Sequence, residues 1–321
     1  MNTSLSVVIP TYNGQALLEK HLPHVLKILR LGDQIIIVDD ASSDTTLEWL
    51  TTQKPIFAAQ KIRLDVVALK KNQRFAAAVN AGVHVAKHAF VLLLNNDVSP
   101  LTPDIRQRLL QWFAHNESLF AVGCGEVREN KPNAQLFGRG TGGWQRGFLA
   151  HFYDPDQTRF ATLWTAGGSM LFEKAKFEKL GGFDTLFYPA YEEDRDLSYR
   201  ALKRGWDLMF DYQARVWHQH ETTNQSIFGQ REMEINSWKN QFIIVWKNID
   251  AIRLWQHVAW LPFHLTLTNA KTKGLLGLGF WRALQILPTI VAKRHREQRH
   301  WQRSDREVLK RAQTFAPQLD Q

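Results

Sequence analysis

Four short apolar runs in the first hundred residues each break off in polar or acidic residues, and helical spacing fills the gaps between them. Residues 5–10 read as a buried strand. Residues 14–30 place Leu17, Leu18, His21, Leu22, Val25, Leu26 and Leu29 on one side of a helix. Residues 35–38 form a second strand, and Ser43 or Asp44 can cap a helix running to about Leu50. A strand at 64–69, a helix at 72–87 and a strand at 90–94 follow. Strands and helices alternating at this length predict an α/β fold, a mainly parallel, Rossmann-like sheet with helices on both faces. In such sheets ligands bind beyond the carboxyl ends of the strands. Asp39, Asp40 and Asp97 should therefore project into one crevice.

That placement gives the strand ends chemical weight. Pro10, Thr11, Tyr12 and Asn13 form a polar turn after the first strand. A carboxylate at Asp39 or Asp40 can accept the imide N–H of a pyrimidine base, whereas the plainer role for Asp40 or Ser42 is to cap the next helix. Asn95, Asn96 and Asp97 end the fourth run. A diphosphate needs its charge neutralised before it can leave, and Mg²⁺ or Mn²⁺ prefers oxygen ligands such as Asp97. Asp97 as a loop cap before Pro100 is the competing role. Farther on, Glu192, Glu193, Asp194 and Asp196 open a helix that continues to about Lys203. Acids suit a helix N-terminus, yet a carboxylate desolvated by neighbouring aromatics can also serve as a general base.

The chain has 321 residues, a net charge of +9 and a single cysteine, Cys124. One cysteine forms no internal disulfide, which fits a reducing compartment. The run beginning at Leu5 leaves no room for a signal peptide, so the sequons at Asn2, Asn116 and Asn224 are expected to be silent. Gly138 to Gly143 match Gly-x-Gly-x-x-Gly, but not between a strand and a helix, so dinucleotide binding is not indicated. A loop over the acceptor site is expected there instead.

Beyond about residue 225 the composition changes. Six of the twelve tryptophans lie after residue 237, and residues 293–311 hold eight Lys or Arg against three acids. Residues 274–292 are apolar but carry Arg282 centrally and Pro288 near the end, so they read as a helix lying on a membrane or packing on the protein rather than crossing. Aromatic residues beside a basic cluster suit an anionic membrane surface. No nucleic-acid recognition module accompanies the basic charge. The expected division is a catalytic domain over 1–225 and a helical, basic, membrane-associating extension over 226–321, with the oligomeric state open.

In order, the strings Val8-Ile9-Pro10-Thr11-Tyr12-Asn13, Val38-Asp39-Asp40-Ala41-Ser42-Ser43-Asp44, Leu94-Asn95-Asn96-Asp97, Ala166-Gly167-Gly168-Ser169-Met170-Leu171, Gly181-Gly182-Phe183-Asp184, Glu193-Asp194-Arg195-Asp196-Leu197 and Val216-Trp217-His218 resemble family 2 of the glycosyltransferases. They cover roughly residues 5 to 220, and the nearest subgroup is the bacterial rhamnosyltransferase-like enzymes. The resemblance implies a nucleotide-diphospho-sugar transferase fold and inverting transfer from a UDP- or dTDP-sugar to a glycan or lipid-linked acceptor in cell-surface polysaccharide synthesis. It implies Asp40 at the base, Asp97 and His218 at Mn²⁺ or Mg²⁺, and Asp194 as catalytic base. Gly168, Ser169 and Glu193 would line the donor–acceptor junction. Asn95 stands where the family usually carries a further acid, and His220 rivals His218. The Gln-x-x-Arg-Trp string of processive synthases is replaced by Gln213-Ala214-Arg215-Val216-Trp217, which favours transfer of one or a few sugars. The expected location is cytoplasmic, peripheral on the inner face of the cell membrane. The alternative is a catalytically inactive nucleotide-sugar-binding or scaffolding protein of the same fold.

Overall fold

The computed structural model describes residues 3–129, 134–219 and 227–315; Asn2, His220 and Asn224 lie outside them. The alternation folds as expected into β1 (Ser6–Thr11), α1 (Gln15–Leu26), β2 (Gln34–Asp39), α2 (Thr46–Ala59), β3 (Arg63–Ala68), α3 (Arg74–Val85) and β4 (Phe90–Leu94). β1 pairs in parallel with β2 and β4, and β2 with β3. Successive side chains point to opposite faces, which explains the unbroken apolar runs. Val7, Ile9, Ile35 and Ile37 join one core with α1 and α2, while Val8, Ile36 and Val38 join another with α3. The strand order β3-β2-β1-β4 reverses between β1 and β4. Ligands are expected at that reversal, outside the carboxyl ends.

α2 extends well past Leu50, because the buried Phe57 anchors its last turns despite Pro55 within it. α1 stops at Leu26, short of residue 30.

The second half contains β5 (Val98–Pro100), α4 (Ile105–Ala114), β6 (Leu119–Val127), β7 (Leu136–Phe137), β8 (Gly140–Gln145), β9 (Phe148–Tyr153), β10 (Ser169–Glu173), α5 (Lys174–Leu180), α6 (Glu193–Lys203) and β11 (Asp207–His218). β10 lies antiparallel between β4 and β6, while β11 runs parallel to β6. The Gly138–Gly143 region is not a loop over a site. Its larger part is β8, paired with β9 in a separate hairpin. Gly140 lies so close to the Trp164 ring that a Cβ there would sit 2.3 Å from it. The missing side chains let the hairpin pack flat on that indole.

Five longer helices follow: α7 (Gln230–Asn248), α8 (Ala251–Phe263), α9 (Leu275–Gln285), α10 (Leu287–Gln298) and α11 (Asp305–Thr314). Ile243, Ile244, Val245, Ile290, Val308 and Ala312 sit in the same core cluster as Val8 and Phe172. The change near residue 225 is thus a change in secondary structure, with one core continuing across it.

α7 also clamps α6. Lys247 is buried and donates to Asp184 at 2.5 Å and to Asp196 at 2.9 Å. Arg200 donates to Asp196 and to the carbonyls of Leu180 and Gly182, and Lys293 of α10 reaches Asp184. Burial alone would raise both carboxyls, but Lys247 and Lys293 hold Asp184 low, and Arg200 and Lys247 hold Asp196 low. Removing the one cation shared by two buried carboxylates leaves charge uncompensated. Lys247→Ala should therefore destabilise the fold by about 3–5 kcal/mol in urea denaturation; a loss within experimental error would show that the cluster does not clamp these helices.

Candidate active site

The ends of β1 and β2 are stitched together. The Asn13 N–H donates to Ser42 Oγ, and the Ser43 N–H donates to Asn13 Oδ1. Asn13 and Ala41 both hold positive φ, 47° and 60°; the short polar side chain of Asn13, bonded to the Ser43 N–H, eases this at Asn13. Thr11 Oγ1 accepts from Asn96 Nδ2, tying β1 to the end of β4. Gly14 allows this approach, since a Cβ there would sit 2.3 Å from Thr11 Oγ1. Pro10 and Tyr12 lie partly buried along the same edge.

The two acids at the tip of β2 differ. Asp40 accepts the Gln73 and Arg74 N–H groups at 2.7 Å each, so it caps α3 rather than the helix that follows it in sequence. Burial raises the Asp40 carboxyl, and those two N–H groups oppose the rise. Asp39 receives the Ser42 N–H on Oδ2, while its buried Oδ1 has no partner. The open acceptor for an imide N–H is therefore on Asp39, whereas both oxygens of Asp40, the acid expected at the base, are already engaged.

At the end of β4, Asp97 lies 3.3 Å from His218 Nε2 at the end of β11. His218 Nδ1 lies 3.2 Å from Glu126 Oε2, and Glu126 Oε1 accepts from Ser169 Oγ at 2.6 Å. All four are buried. Burial works against a charged imidazole, but Asp97 and Glu126 overcome it and hold His218 up at about 10. Among the described residues no three His, Cys, Asp or Glu side chains converge as a metal cage. Asp97 and His218 instead form a two-ligand set of the hard O/N type that fits a cation sharing its remaining positions with phosphate and water. Asn95 Oδ1 is buried without a partner beside them and suits the same role. Glu126 would fix the tautomer and orientation of the His218 ring from behind.

The turn Ala166–Gly167–Gly168–Ser169 joins this end to the acidic helix. A Cβ on Gly168 would sit 2.8 Å from Asn95 Nδ2 and 3.2 Å from His218 Cε1; one on Gly167 would sit 3.4 Å from Asp194 Cβ. Two residues of bare backbone thus separate the cation pair from Asp194. The four acids around α6 divide by partner. Glu192 is held by Arg195 and His151. Burial alone would raise its carboxyl, and the His151 hydrogen bond and the Arg195 guanidinium keep it low. Asp196 belongs to the Lys247 cluster. That leaves Glu193 and Asp194. Asp194 accepts the Gly167 and Arg195 N–H groups, and burial raises it while Arg195 opposes. Glu193 Oε2 is buried with no donor, and burial together with the neighbouring Asp194 pushes Glu193 up to about 8. Of this coupled pair, Asp194, with two backbone N–H donors, is better placed to hold charge than Glu193, whose Oε2 has none.

Tyr191 and Glu192 enter α6 with φ of 71° and 75°, a left-handed pair without glycine. Asn236 and Asn240 of α7 pin this strained entry by donating to the Ala190 carbonyl, and Asn240 also reaches the Tyr191 carbonyl. Glu126, Arg195, His151 and Asn240 are site residues that sequence reasoning missed. Glu126 alone had a usable signal, an acid near the end of an apolar strand.

The Glu193 assignment fixes a pH dependence. The folded chain holds this proton more tightly than the unfolded chain, whose pKa is near 4.5. Its contribution to stability is complete below that value and is lost as pH rises to about 8. Glu193→Gln should flatten the fall in stability across that window, as measured by urea denaturation at stepped pH. Parallel curves for variant and wild type would mean that Glu193 is ionised in the fold.

Residues 6–181 match the model of glycosyl transferase family 2. The chain is 25% identical over 228 residues to the poly-β-1,6-N-acetyl-D-glucosamine synthase of Staphylococcus aureus (strain COL), covering 71% of this chain and 52% of the relative. It is 24% identical over 245 residues to the validoxylamine A glucosyltransferase of Streptomyces hygroscopicus subsp. limoneus, covering 69% and 53%. The chain thus spans about half the length of these relatives. Its fold is similar to that of S. aureus TarS 1–349 in complex with UDP-GlcNAc, with a TM-score of 0.58 at 14% identity over 96% of this chain and 89% of the other. It is also similar to a Pyrobaculum calidifontis mannosyltransferase in complex with GDP-Man and Mn²⁺, with a TM-score of 0.57 at 16% identity over 92% and 88%. With more than half of its length matched by the family model, the chain belongs to glycosyltransferase family 2.

Proposed function

We propose that the protein moves a sugar from a pyrimidine nucleotide-sugar, UDP- or dTDP-linked, to a glycan or lipid-linked acceptor in cell-surface polysaccharide synthesis. Inversion at the sugar carbon, and a hexose or deoxyhexose as cargo with the rhamnosyltransferase-like enzymes as nearest subgroup, belong to the same proposal. The observation that carries it is the Gly167–Gly168 turn, with the Asp97–His218 pair on one side and Asp194 on the other. That spacing suits a leaving group and a proton acceptor on opposite sides of one reacting carbon. S. aureus TarS was crystallised with UDP-GlcNAc, in keeping with such a donor, and a GalNAc-T7 structure contains UDP, GalNAc and Mn²⁺, in keeping with the ion as well.

Asp39, with the Asn13–Ser42 stitch beside it, receives the base. Asp97 and His218, with Asn95 beside them, would hold Mn²⁺ or Mg²⁺, which when bound would supply positive charge for the departing diphosphate. The Gly167–Gly168 backbone admits the sugar without a side chain in its way. Asp194 then takes the proton of the acceptor hydroxyl. The acceptor oxygen bonds to the sugar carbon as the carbon–phosphate oxygen bond breaks, and the diphosphate leaves with the electron pair. Glu193, holding its proton, cannot compete for this role at neutral pH. The charge left on Asp194 by its two backbone donors supports turnover over a binding-only role.

Asp194→Asn should lower transfer by at least about a hundredfold while donor dissociation constants, read by titration calorimetry, stay within about twofold of wild type. Asp97→Ala should instead weaken donor binding in Mn²⁺ and leave binding without metal little changed. Near-normal turnover in Asp194→Asn would overturn the base assignment.

A further inference from the structure

We infer that α8 and the α9–α10 pair form a docking face for an anionic phospholipid bilayer, with Ile252, Trp255 and Trp281 as its apolar anchors. This rests on the surface alone and stands whether or not the transfer reading holds.

On α8, Ile252 is 76% and Trp255 73% exposed, and Val258 and Trp260 are also exposed; Gln256 is the one polar residue exposed along that helix. On α9, Trp281 is 60% exposed, with exposed Leu278 three residues before it, and on α10 Val291 is exposed. Large apolar side chains held out in water on consecutive helices mark an interaction surface. Their opposite faces are fixed to the protein. On α9, Leu276, Gly279 and Ala283 are buried. A Cβ on Gly279 would sit 2.5 Å from Trp238 Cβ and 2.9 Å from the Ile235 carbonyl of α7, so the two helices are in near backbone contact. No single described helix is long and apolar enough to cross a membrane. The α9–α10 pair passes that test only jointly and bends by 68° at its break. Helices buried on one face and apolar on the other lie along a membrane interface rather than through it.

Charge selects the occupant. Residues 251–300 contain eight Lys or Arg and a single acid, Glu297. Glu297 is buried and paired with Arg204, so the segment exposes no carboxylate. Arg282, the cation inside the apolar stretch, is paired with Glu232 of α7. Lys271, Lys273, Arg296 and Arg299 are exposed. Tryptophan and aliphatic anchors flanked by an excess of cations, with Glu232 neutralised by Arg282, match an anionic headgroup layer. A second copy of this chain would bring two such basic faces together and would be repelled.

The face is also wired to the site. His257 Nδ1 lies 2.7 Å from the Gly147 carbonyl, and His264 Nε2 lies 2.6 Å from the Arg146 carbonyl, so α8 and the turn after it grip the tip of the β8–β9 hairpin. β9 carries His151, which pairs with Glu192 beside the catalytic carboxylates.

The test is flotation of the full chain with phosphatidylcholine vesicles and with vesicles of phosphatidylcholine mixed with phosphatidylglycerol. The protein should float with the mixed vesicles, weakly with the neutral ones, and less as salt rises. Trp255→Ser with Trp281→Ser should weaken partition at least about tenfold, as should Lys271→Glu with Lys273→Glu, with circular dichroism and activity on a water-soluble acceptor unchanged. No flotation with mixed vesicles, equal flotation of the folded variants, or a concentration-dependent dimer abolished by the tryptophan substitutions would each overturn the bilayer assignment.

Discussion

Lys247 ties the acidic helix α6, with Glu193 and Asp194 at its start, to the rest of the molecule. Its ammonium sits between Asp184 and Asp196 in a space from which water is excluded. Two carboxylates there would repel each other and pay heavily for desolvation if the cation were absent. Asp196 is one turn into the helix whose first residues are Glu193 and Asp194, so the clamp sets where those carboxylates stand. Two asparagines of the same helix, Asn236 and Asn240, hold the left-handed entry through Tyr191 and Glu192. α7 is thus structural and functional at once. One side holds the start of α6, where Asp194 stands, and another packs against α9.

Burial drives the chemistry in opposite directions at the two ends of the Gly167–Gly168 turn. Near α6, desolvation raises Glu193 and Asp194, and the Gly167 and Arg195 N–H groups oppose the rise at Asp194. Near β4, the same desolvation is outweighed by Asp97 and Glu126, which keep His218 protonated. A cation arriving there competes with that proton for Asp97 and His218. The bare glycines between the two ends allow both environments to meet at one small space.

The parallel half of the fold was legible because its signals are local. Apolar runs with acidic tips give strands covered on both faces, and the order of those tips gives the crevice. Asp97, His218, Gly168 and Asp194 lie together as their motifs implied. What was not legible depends on contacts distant in sequence. Asp40 reads as a base contact or a cap on the next helix, yet its oxygens cap α3, which begins more than thirty residues later. Glu126 gains meaning only when β6 lies beside β10 and β11, placing it between Ser169 and His218. The glycine-rich stretch near residue 140 reads as a loop because no spacing announces that Trp164 will pack on it. The change at residue 225 reads as a domain boundary because composition shifts there, although Ile243 to Val245 return to the core.

The most direct test of the account is a thermal-shift series on the purified chain with UDP, dTDP, GDP and CDP, each with and without Mn²⁺. A ligand at about a hundred times its dissociation constant stabilises a fold by roughly 2.7 kcal/mol, enough to move the transition clearly. The account predicts a shift with UDP or dTDP that requires Mn²⁺ and disappears in Asp97→Ala. No shift with any pyrimidine diphosphate, or one indifferent to both Mn²⁺ and Asp97, would contradict it.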